Sequence, residues 1–573
     1  FIVLLFTAFI LGFGIYAISR ISIGAVPDVT NNQVQVLTTS RNLSTLDVEQ
    51  FITYPIELEM ANLPGIKEIR STSKFGLSVV TLVFEDEMGT YLPRQLIAEK
   101  IKSAKDKIPE GFGSPEMGPI STGLGEIYQY TIEVDQEHKD DYSLTDLRTI
   151  QDWIIRRQLA GIKGVVEINT WGGYLKQYEV AINTTELHSL DITINDLFNA
   201  LEQNNTVAGG SYIEKEDQAY FIRGEGLIKD LDDIRKTVIT VKENQPITVA
   251  DVAEVRIGHA PRFGAVTSNG EGEKVMGQIM MLKGVNSNEV IEAVKARVAQ
   301  LQKTLPEGVS VVPFLERSSL VSKTITTVIE NLLIGFLIVA IVVILLIGDF
   351  RAGLIISSVI PLCFLIALSL MFAFNIDVNL MSMGALDFGI IIDGAVIIVE
   401  FTALQILQRA SKNGTLSQEE KDETTIKATS RMMRSAIFGQ LIIIIVFIPI
   451  LSLSGVEGKM FIPMALTFIF AIIGAIVTCL TYVPVMSSIF LNRQAHQSFK
   501  ISEKLLNGIR WIYLPALNWA LRQKKIVIGG ALGLLALGGV VFSNMGAEFI
   551  PQLDEGDFVI QPVMKTGKSL EKV

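Results

Sequence analysis

The sequence predicts a polytopic α-helical membrane protein that carries a large soluble α+β segment between its first two membrane spans. Of the 573 residues, 49% are hydrophobic, and the mean hydropathy is +0.40. Soluble proteins of this size rarely have a positive mean hydropathy. Seven apolar runs are long enough to cross a hydrocarbon core of about 30 Å. They are residues 1–18, 326–348, 354–374, 380–404, 432–453, 463–491 and 526–542.

The composition excludes several classes of protein. The net charge of −11 argues against a nucleic-acid partner and is compatible with cations as cargo. Cys363 and Cys479 both lie in apolar runs, so neither a disulfide framework nor a zinc-finger spacing is present, and we interpret both as buried small hydrophobic residues. No GxSxG, P-loop or HExxH motif occurs, which argues against a membrane enzyme or an ATP-driven pump.

The most informative stretch is 380–404, LMSMGALDFGIIIDGAVIIVEFTAL, an apolar run that contains Asp387, Asp393 and Glu400. Three carboxylates at the bilayer centre cost about 8–10 kcal/mol on the insertion scale, and the apolar residues around them return about 3–6 kcal/mol. A lone lipid-facing helix is therefore unfavourable. We expect this helix to lie in a bundle with its acids turned toward a partner or a water-filled path, which is typical of ion or proton traffic.

Helical geometry groups two of the acids. Asp393 and Glu400 are seven residues, about two turns, apart and share a face. Asp387, six residues before Asp393, points about 120° away on an ideal helix. An interhelical salt bridge that only fixes packing is the alternative interpretation of these acids.

Basic residues in the connecting loops indicate the orientation. They cluster between the fourth and fifth spans and between the sixth and seventh, whereas 375–379 has none and the loop near Gly455 has only Lys459. The positive-inside rule places the two basic loops in the cytoplasm, and the soluble segment is then extracytoplasmic. Residues 499–523, with Trp511, Tyr513 and Trp519 among basic residues, predict an amphipathic helix on the inner membrane face, or else an ordinary connector packed on the spans.

The soluble segment shows a repeated order of strands and helices. Strands at 33–39, 66–73 and 76–84, with helices at 44–60 and 90–107, follow the split βαβ, ferredoxin-like pattern. A second unit combines 127–134, a helix at 143–158, a strand pair of 165–170 with 177–182, and then 274–282, 288–301 and 310–314. The stretch 183–261 is predicted to be an insertion with a polar loop near 208–216.

The two ends of the chain suggest a duplication. GAVPD follows the first span and GAEFIPQLDEGD, from Gly546, follows the seventh, so that a large soluble segment begins after each. We expect the chain to be the N-terminal half of a longer protein with parallel halves.

The stretch DFGIIIDGAVIIVE resembles the fourth-span signature of the heavy-metal efflux branch of the resistance–nodulation–division (RND) superfamily, in particular its cobalt–zinc–cadmium type of cation exporter. Further likeness lies in VPDVTNNQVQV, GLGEIYQYT, ERSSLV and EFIPQLDEGD, and covers essentially the whole chain. Phe401 departs from the pattern, where the family has Asn.

The resemblance implies a polytopic helical membrane protein with large periplasmic porter and docking subdomains of ferredoxin-like α+β type. The expected domains are span one at 1–21, porter subdomain 1 at 22–124, porter subdomain 2 at 125–182 and 262–323, a docking subdomain at 183–261, spans two to six at 324–491, a cytoplasmic amphipathic linker helix at 492–523, span seven at 524–544, and the start of a second porter segment at 545–573.

The function implied is a homotrimeric, proton-driven efflux pump in the inner membrane of a Gram-negative bacterium, joined to a periplasmic adaptor and an outer-membrane channel. It is a secondary transporter and not an enzyme, and it has no resident cofactor besides the transported metal and protons. In the family, the acids matching Asp387, Asp393 and Glu400 form the proton relay.

The metal is expected to be a divalent cation of the zinc, cobalt, cadmium or nickel class. The copper and silver branch has an apolar residue at the position of Glu126 and a Met near Gln561, and Cu⁺ and Ag⁺ prefer thioether sulfur. Glu126 is therefore the candidate metal ligand, with a solvated surface acid as the alternative. His138, His188, His259 and His496 are dispersed and are interpreted as structural.

Three other functions stay open: a copper or silver exporter, a drug exporter of the same superfamily, and a membrane receptor or protein-export accessory. Against a drug exporter, that branch has two adjacent aspartates in the fourth span, whereas Asp393 is followed by Gly394.

Overall fold

The computed structural model describes residues 1–24, 26–40, 43–262, 264–384, 388–492 and 500–546, together with 560 and 562. The chain forms two compact units, which are described separately below. The first comprises Phe1–Gly125, Met281–Ile291 and Arg317–Gln561, and the second comprises Glu126–Met280, Glu292–Glu316 and Pro562–Val573.

The soluble part of the first unit is a four-stranded antiparallel sheet covered by helices. Its elements are β1 (Ile23–Gly24), β2 (Gln33–Thr39), α2 (Thr45–Val48), a π-helical turn (Glu49–Thr53), α3 (Tyr54–Met60), β3 (Ile66–Lys74), β4 (Leu77–Phe84), α4 (Tyr91–Lys107) and β5 (Glu116–Met117). The sheet order β3–β4–β2–β5 is that of a split βαβ unit. The alternation in β2 buries Val34 and Val36 against α3 and α4, as the sequence pattern predicts.

A five-stranded sheet, most of which belongs to the second unit, repeats this order of strands and helices. Its elements are β6 (Glu126–Val134), α5 (Leu144–Ile150), a π-helical turn (Gln151–Ile155), α6 (Arg156–Leu159), β7 (Val165–Trp171), β14 (Val266–Thr267), β15 (Glu273–Met281), α10 (Ser287–Leu301) and β16 (Val309–Glu316). The order is β14–β15–β6–β16, and β7 also pairs with β15. Ser143 caps α5 through a reciprocal bond with Asp146.

A separate group of elements is inserted between β7 and β14. It contains β8 (Lys176–Ile182), α7 (Thr184–Ser189), α8 (Ile194–Gln203), β9 (Thr206–Lys215), β10 (Gln218–Gly226), α9 (Leu231–Arg235), β11 (Val238–Lys242), β12 (Gln245–Thr248) and β13 (Ala253–His259). It has its own core, which includes Leu197, Val249 and Val255. The insertion therefore packs around its own apolar side chains.

Two local predictions for this region are wrong. The polar stretch near 208–216 is strand β9, because its backbone pairs with β10 and the turn is made at Glu216 and Asp217, both with positive φ. The strand at 177–182 does not pair with 165–170. It pairs along its whole length with β13, whereas β7 pairs with β15.

Among the described residues, seven helices are long and apolar enough to span a membrane, as predicted. The helices outside the two sheets are α1 (Ile2–Arg20), α11 (Arg317–Ile347), α12 (Phe350–Ala373), α13 (Leu380–Gly384), α14 (Phe388–Asn413), α15 (Gln418–Phe447), α16 (Gly455–Leu480), α17 (Tyr482–Phe490), α18 (Lys500–Arg522) and α19 (Lys524–Asn544). Strand β17 (Val378–Asn379) precedes α13. Helix α18 lies within the stretch predicted as a linker helix, and Trp511 and Trp519 are exposed on it.

The predicted sixth span at 463–491 is wrong as a single helix, because α16 ends at Leu480 and α17 begins at Tyr482. Pro484 explains the break. It has no N–H to donate to the carbonyl of Leu480, and its ring crowds that carbonyl. Thr481 closes the end of α16 by donating its backbone N–H to Val477 O at 3.1 Å.

Helix α12 lies at the centre of the bundle, and small residues allow its neighbours to approach closely. A side chain at Gly14 of α1 would meet Leu365 at 2.8 Å, and one at Gly474 of α16 would meet Ile366 at 3.2 Å. In contrast, α19 has no buried residue and α15 leaves Phe438 and Ile445 exposed. The bundle thus has one closely packed side and one open side.

Substituting Gly277 with Ala is expected to destabilise the second unit by about 1–3 kcal/mol, the usual cost of overpacking a core. A methyl group there would overlap the ring of Tyr130, which is fully buried and donates to Gln151 Oε1 at 3.0 Å. Hydrogen-exchange protection of β6 and β15 measures the effect. Gly161→Ala, with nothing within 4 Å of the added methyl, is the control, and equal protection in both variants would contradict the packing argument.

Candidate functional site

Two of the three predicted relay acids lie on α14. Asp393 and Glu400 are both within this helix, whereas Asp387 lies outside the described residues. Asp393 and Glu400 are exposed, and the apolar residues between them, Ile398 and Val399, are buried. The acids therefore share an open face of the helix, as their spacing of two turns requires.

The opposite side of α14 holds the helix in the bundle. Ile391, Ile392, Ala395, Ile398 and Val399 belong to the buried core formed with α12, α15, α16 and α17. This apolar face fixes the rotation of the helix about its axis and thereby turns the acids outward. At membrane depth the face that carries the two acids cannot lie against lipid, because two carboxylates cost about 5–7 kcal/mol there.

A local cap fixes the start of α13. Asn379 Oδ1 accepts from the backbone N–H of Ser382 at 2.9 Å, and the backbone N–H of Asn379 donates to Ser382 Oγ at 3.1 Å. Both side chains are buried. One residue earlier, Val378 pairs in parallel with Ile23 of β1. The connection before α13 is therefore tied to the chain that leaves α1.

A buried amide lies behind the acids. Gln440 of α15 is 2% exposed, and neither of its amide atoms has a hydrogen-bond partner among the described residues. A Cβ at Gly394 would lie 2.9 Å from Gln440 Nε2 and 3.2 Å from Cys479 Sγ, so three helices meet at this glycine. Our sequence analysis missed Gln440, although a single amide in the apolar run 437–447 is a signal of the same kind as the acids.

The other end of α14 is polar and basic. Arg409 Nη1 donates to Thr424 Oγ1 at 2.8 Å and lies 3.6 Å from Glu423, and the guanidinium of Arg431 lies 5.9 Å from the ring of Phe401. Phe401 thus faces a cation on α15. These contacts join α14 to α15 beyond Glu400.

A polar cleft of about 110 Å³ lies where the chain enters and leaves the bundle. Its lining includes Ser22, Asp28, Lys283, Arg317 and Asp377. Desolvation raises the pKa of Asp377 even though its side chain reaches solvent. A hydrogen bond with Ser22 opposes this rise, and the charge of Asp28 adds to it.

A second polar contact joins the soluble part of the first unit to α16. Lys459 Nζ donates to Thr30 O at 2.9 Å and to Asp86 Oδ1 at 2.6 Å. In the sequence, Lys459 is the one basic residue near Gly455. In the structure it lies in α16, and its ammonium group has these two acceptors.

The candidate metal ligand Glu126 begins β6 and is half-buried. It accepts from Gln129 Nε2 at 3.3 Å and lies opposite Met280 in the strand register. Among the described residues, no group of three His, Cys, Asp or Glu side chains is arranged to hold a metal ion.

The histidines that the structure describes are dispersed. His138 pairs with Asp135 at 2.7 Å, and this hydrogen bond raises the pKa of the imidazole. His259 packs on the ring of Tyr174, and His188 lies in α7, whereas His496 and Gln561 lie outside the described residues. Both cysteines are buried and free.

Residues 1–573 match the AcrB/AcrD/AcrF family, so the chain belongs to this family of membrane transporters. It is 44% identical over 566 residues to the cobalt-zinc-cadmium resistance protein CzcA of Cupriavidus metallidurans, and 37% identical over 600 residues to the nickel and cobalt resistance protein CnrA of the same organism. These alignments cover 98% and 100% of this chain. The predicted membership in the heavy-metal branch of the RND superfamily is thereby confirmed.

The fold agrees with a solved relative. The chain superposes on the crystal structure of a heavy metal efflux pump with a TM-score of 0.83 at 32% identity, over 97% of this chain and 52% of that one. The predicted fold class, a polytopic membrane protein with large α+β porter domains, is confirmed. The chain spans about half the length of the relatives it matches, 53% in CzcA and 55% in CnrA.

Asp377→Asn is expected to change how the stability of the protein depends on pH. Desolvation raises the folded-state pKa of Asp377 above its unfolded-state pKa, so the folded protein binds the proton more tightly. The protein therefore loses stability as the pH rises from the unfolded-state pKa to the folded-state pKa. The asparagine variant should unfold at a higher temperature than wild type at pH 7, with no gain at pH 3.

Thermal unfolding in detergent across this pH range measures the difference. Asp28→Asn is the graded comparison, because it removes the neighbouring charge and leaves the desolvation, so it should give part of the gain. A gain that persists at pH 3 would contradict the assignment to ionised Asp377.

Proposed function

We propose that this chain forms part of a proton-driven efflux pump that exports divalent heavy-metal cations from the bacterial cell. The observation that carries the proposal is the pair of acids, Asp393 and Glu400, on one exposed face of α14 in a chain 44% identical to CzcA. The protein is a secondary active transporter and not an enzyme.

Proton binding supplies the driving force. Protonation of Asp393 and Glu400 removes two charges from a helix face at membrane depth, which lets that face pack against an apolar neighbour, and ionisation reverses the change. Each proton that crosses gains about 2.3 kcal/mol per 100 mV of membrane potential, in addition to the pH gradient. Asp387 completes the relay as the third acid of the sequence motif.

The position of the acids on α14 supports the proposal. The face that Asp393 and Glu400 share is open among the described residues, and the face that packs on α12, α15, α16 and α17 is apolar. Within the described part of the chain, the two acids therefore do not serve to pack α14 on its neighbours.

Divalent cations are the proposed cargo. The names of three relatives at 37–44% identity specify cobalt, zinc, cadmium or nickel, whereas the cation efflux system protein CusA of Escherichia coli is 33% identical. Glu126 is the proposed ligand from this chain, since carboxylate oxygen suits zinc and its borderline neighbours better than Cu⁺ or Ag⁺. A copper or silver exporter and a drug exporter are the alternatives within the superfamily.

The proposed assembly is a homotrimer in the inner membrane of a Gram-negative bacterium, joined to a periplasmic adaptor and an outer-membrane channel. Membership in the AcrB/AcrD/AcrF family and the seven membrane-capable helices in the described part of the chain support this placement. The soluble subdomains between α1 and α11 are the proposed porter and docking parts in the periplasm. No nucleic acid and no resident cofactor take part.

Asp393→Asn is expected to lower zinc efflux by roughly 10²-fold, the lower end of what a positioned proton-transfer group contributes. Zinc uptake into inverted vesicles bearing the pump, with an imposed pH gradient, measures the rate. Glu457→Gln, which removes an exposed carboxylate from the start of α16, is the matched control and should transport normally.

Efflux at the wild-type rate in Asp393→Asn, or efflux that persists after the pH gradient and membrane voltage are collapsed, would overturn the proton-driven mechanism. Vesicles of the wild-type protein that take up no metal at all would favour a membrane receptor or protein-export accessory.

Glu126→Gln is expected to weaken zinc resistance in a deletion strain, because the amide keeps the shape of the side chain and lacks the charge that binds the cation. Growth on zinc, cobalt and cadmium measures the effect. Glu110→Gln, at an exposed site, is the control. Unchanged metal resistance would remove Glu126 from the site, and loss of drug resistance without loss of metal resistance would favour a drug exporter.

A further inference from the structure

Gln440 is a buried amide whose hydrogen-bonding capacity is largely unused among the described residues. Its side chain is 2% exposed, neither Nε2 nor Oε1 has an oxygen or nitrogen partner there, and the Cys479 thiol beside it is only a weak hydrogen-bonding group. A primary amide offers two donors and two acceptor positions, and burying it without partners is unfavourable. Leucine or methionine would fill the same space without this cost, so the amide is expected to act in another arrangement of the site.

The amide of Gln440 lies against the backbone of α14. A Cβ at Gly394 would lie 2.9 Å from Gln440 Nε2 and 3.3 Å from its Cδ, so the absence of a side chain at Gly394 lets the amide approach the backbone of α14. Asp393 is the preceding residue. Its carboxyl acts electrostatically on the thiol of Cys479, whose sulfur borders the same point, so all four residues belong to one neighbourhood.

A neutral carboxyl is the complementary partner of such an amide. Protonated Asp393 can donate its O–H to Gln440 Oε1 and accept from Nε2, which satisfies both amide atoms at once. An ionised carboxylate can only accept from Nε2, and it would bring a full charge into the apolar core formed by Ile392, Ala395 and Phe470. The amide therefore discriminates between the two protonation states.

Among the described residues, the ionisable groups near the Gln440 amide other than Asp393 are mainly thiols and a phenol. From the elements packed on α14, the Cys479 thiol of α16 and the Cys363 thiol of α12 lie nearby, and Cys363 is 3.5 Å from Thr478 Oγ1. Tyr482 of α17 is 2.9 Å from Ser358.

Charged residues also occur on these elements. On α14 itself, Glu400 is two turns from Asp393. On the helices that contact α14, Arg434 lies six residues before Gln440 on α15, Arg351 lies at the start of α12, Lys459 lies near the start of α16, and Glu330 lies in the middle of α11.

We propose that Gln440 is a positioning residue for Asp393: on protonation the carboxyl turns from the open face of α14 toward the bundle and pairs with the Gln440 amide, and on ionisation it returns. The structure describes the outward position, with Asp393 exposed and the amide unpaired. This inference rests on the proposed relay role of Asp393 and adds the group that holds its protonated form.

The test compares Gln440→Met with wild type in the native membrane assembly. The infrared C=O band of protonated Asp393, assigned by its loss in Asp393→Asn, should shift to higher frequency because its hydrogen bonds are lost. The alkaline limb of the pH profile of zinc efflux should move to lower pH by about one unit, which is a tenfold change in the proton concentration required. The reason is that the protonated form of Asp393 loses one hydrogen bond.

Thr429→Val is the matched control. Thr429 is another buried side chain of α15 whose hydroxyl lacks a partner among the described residues, and its removal should leave both the band and the pH profile unchanged. Gly394→Ala is an independent second variant, because its methyl would displace the amide, and it should reproduce the shifts of Gln440→Met.

An unchanged carboxyl band and pH profile in Gln440→Met would overturn the proposal, and so would a lower transport rate without a shift of the profile. If Gln440→Met does not fold, Gly394→Ala decides in the same way. These outcomes are separate from failure of the relay itself, which would appear as normal efflux in Asp393→Asn.

Discussion

The free energy of a carboxylate at membrane depth is the constraint on which the helical bundle depends. Apolar side chains of α14 can only partly offset the cost of its two carboxylates, so the acids must meet water or a polar surface. Helix α14 meets this requirement because its apolar and acidic residues lie on different faces. Its apolar side is buried on α12, α15, α16 and α17, and Asp393 and Glu400 lie together on the other side. The packing of the neighbouring helices thus determines where charge is available for transport.

Much of the architecture could be predicted from the sequence because its signals are local. Alternation in β2, the cap at Ser143 and the apolar runs each mark an element, and the order of elements then indicates the split βαβ plan. The spacing of Asp393 and Glu400 likewise fixed their common face. These features depend on a few neighbouring residues, so no knowledge of distant contacts was required.

The wrong predictions concern strand pairings and a helix orientation that depend on residues far away in the sequence. The polar stretch near 208–216 becomes a strand only through its partner β10, and β8 pairs with a strand more than seventy residues later. The sequence could not indicate that the acids would face the open side of the bundle, since that depends on which helices cover the other side. The end of α16 was predictable from Pro484, but hydropathy alone masked it.

The soluble segment shows how one plan accommodates an insertion. Both sheets follow the same split βαβ order, yet in the second unit β8 to β13 are inserted between β7 and β14. The insertion begins and ends side by side because β8 and β13 pair along their length. With its ends held together and its own core including Leu197 and Val255, it adds a surface without disturbing the sheet that carries it.

The short pairing of β1 with β17 has a mechanical consequence. Ile23 leaves α1 for the soluble segment, and Val378 stands two residues before α13. Any sliding of the relay segment along its axis must therefore pull on the root of the first soluble subdomain or break the bonds between these strands. Two residues of β-structure therefore connect the helical bundle mechanically to the soluble segment that follows α1.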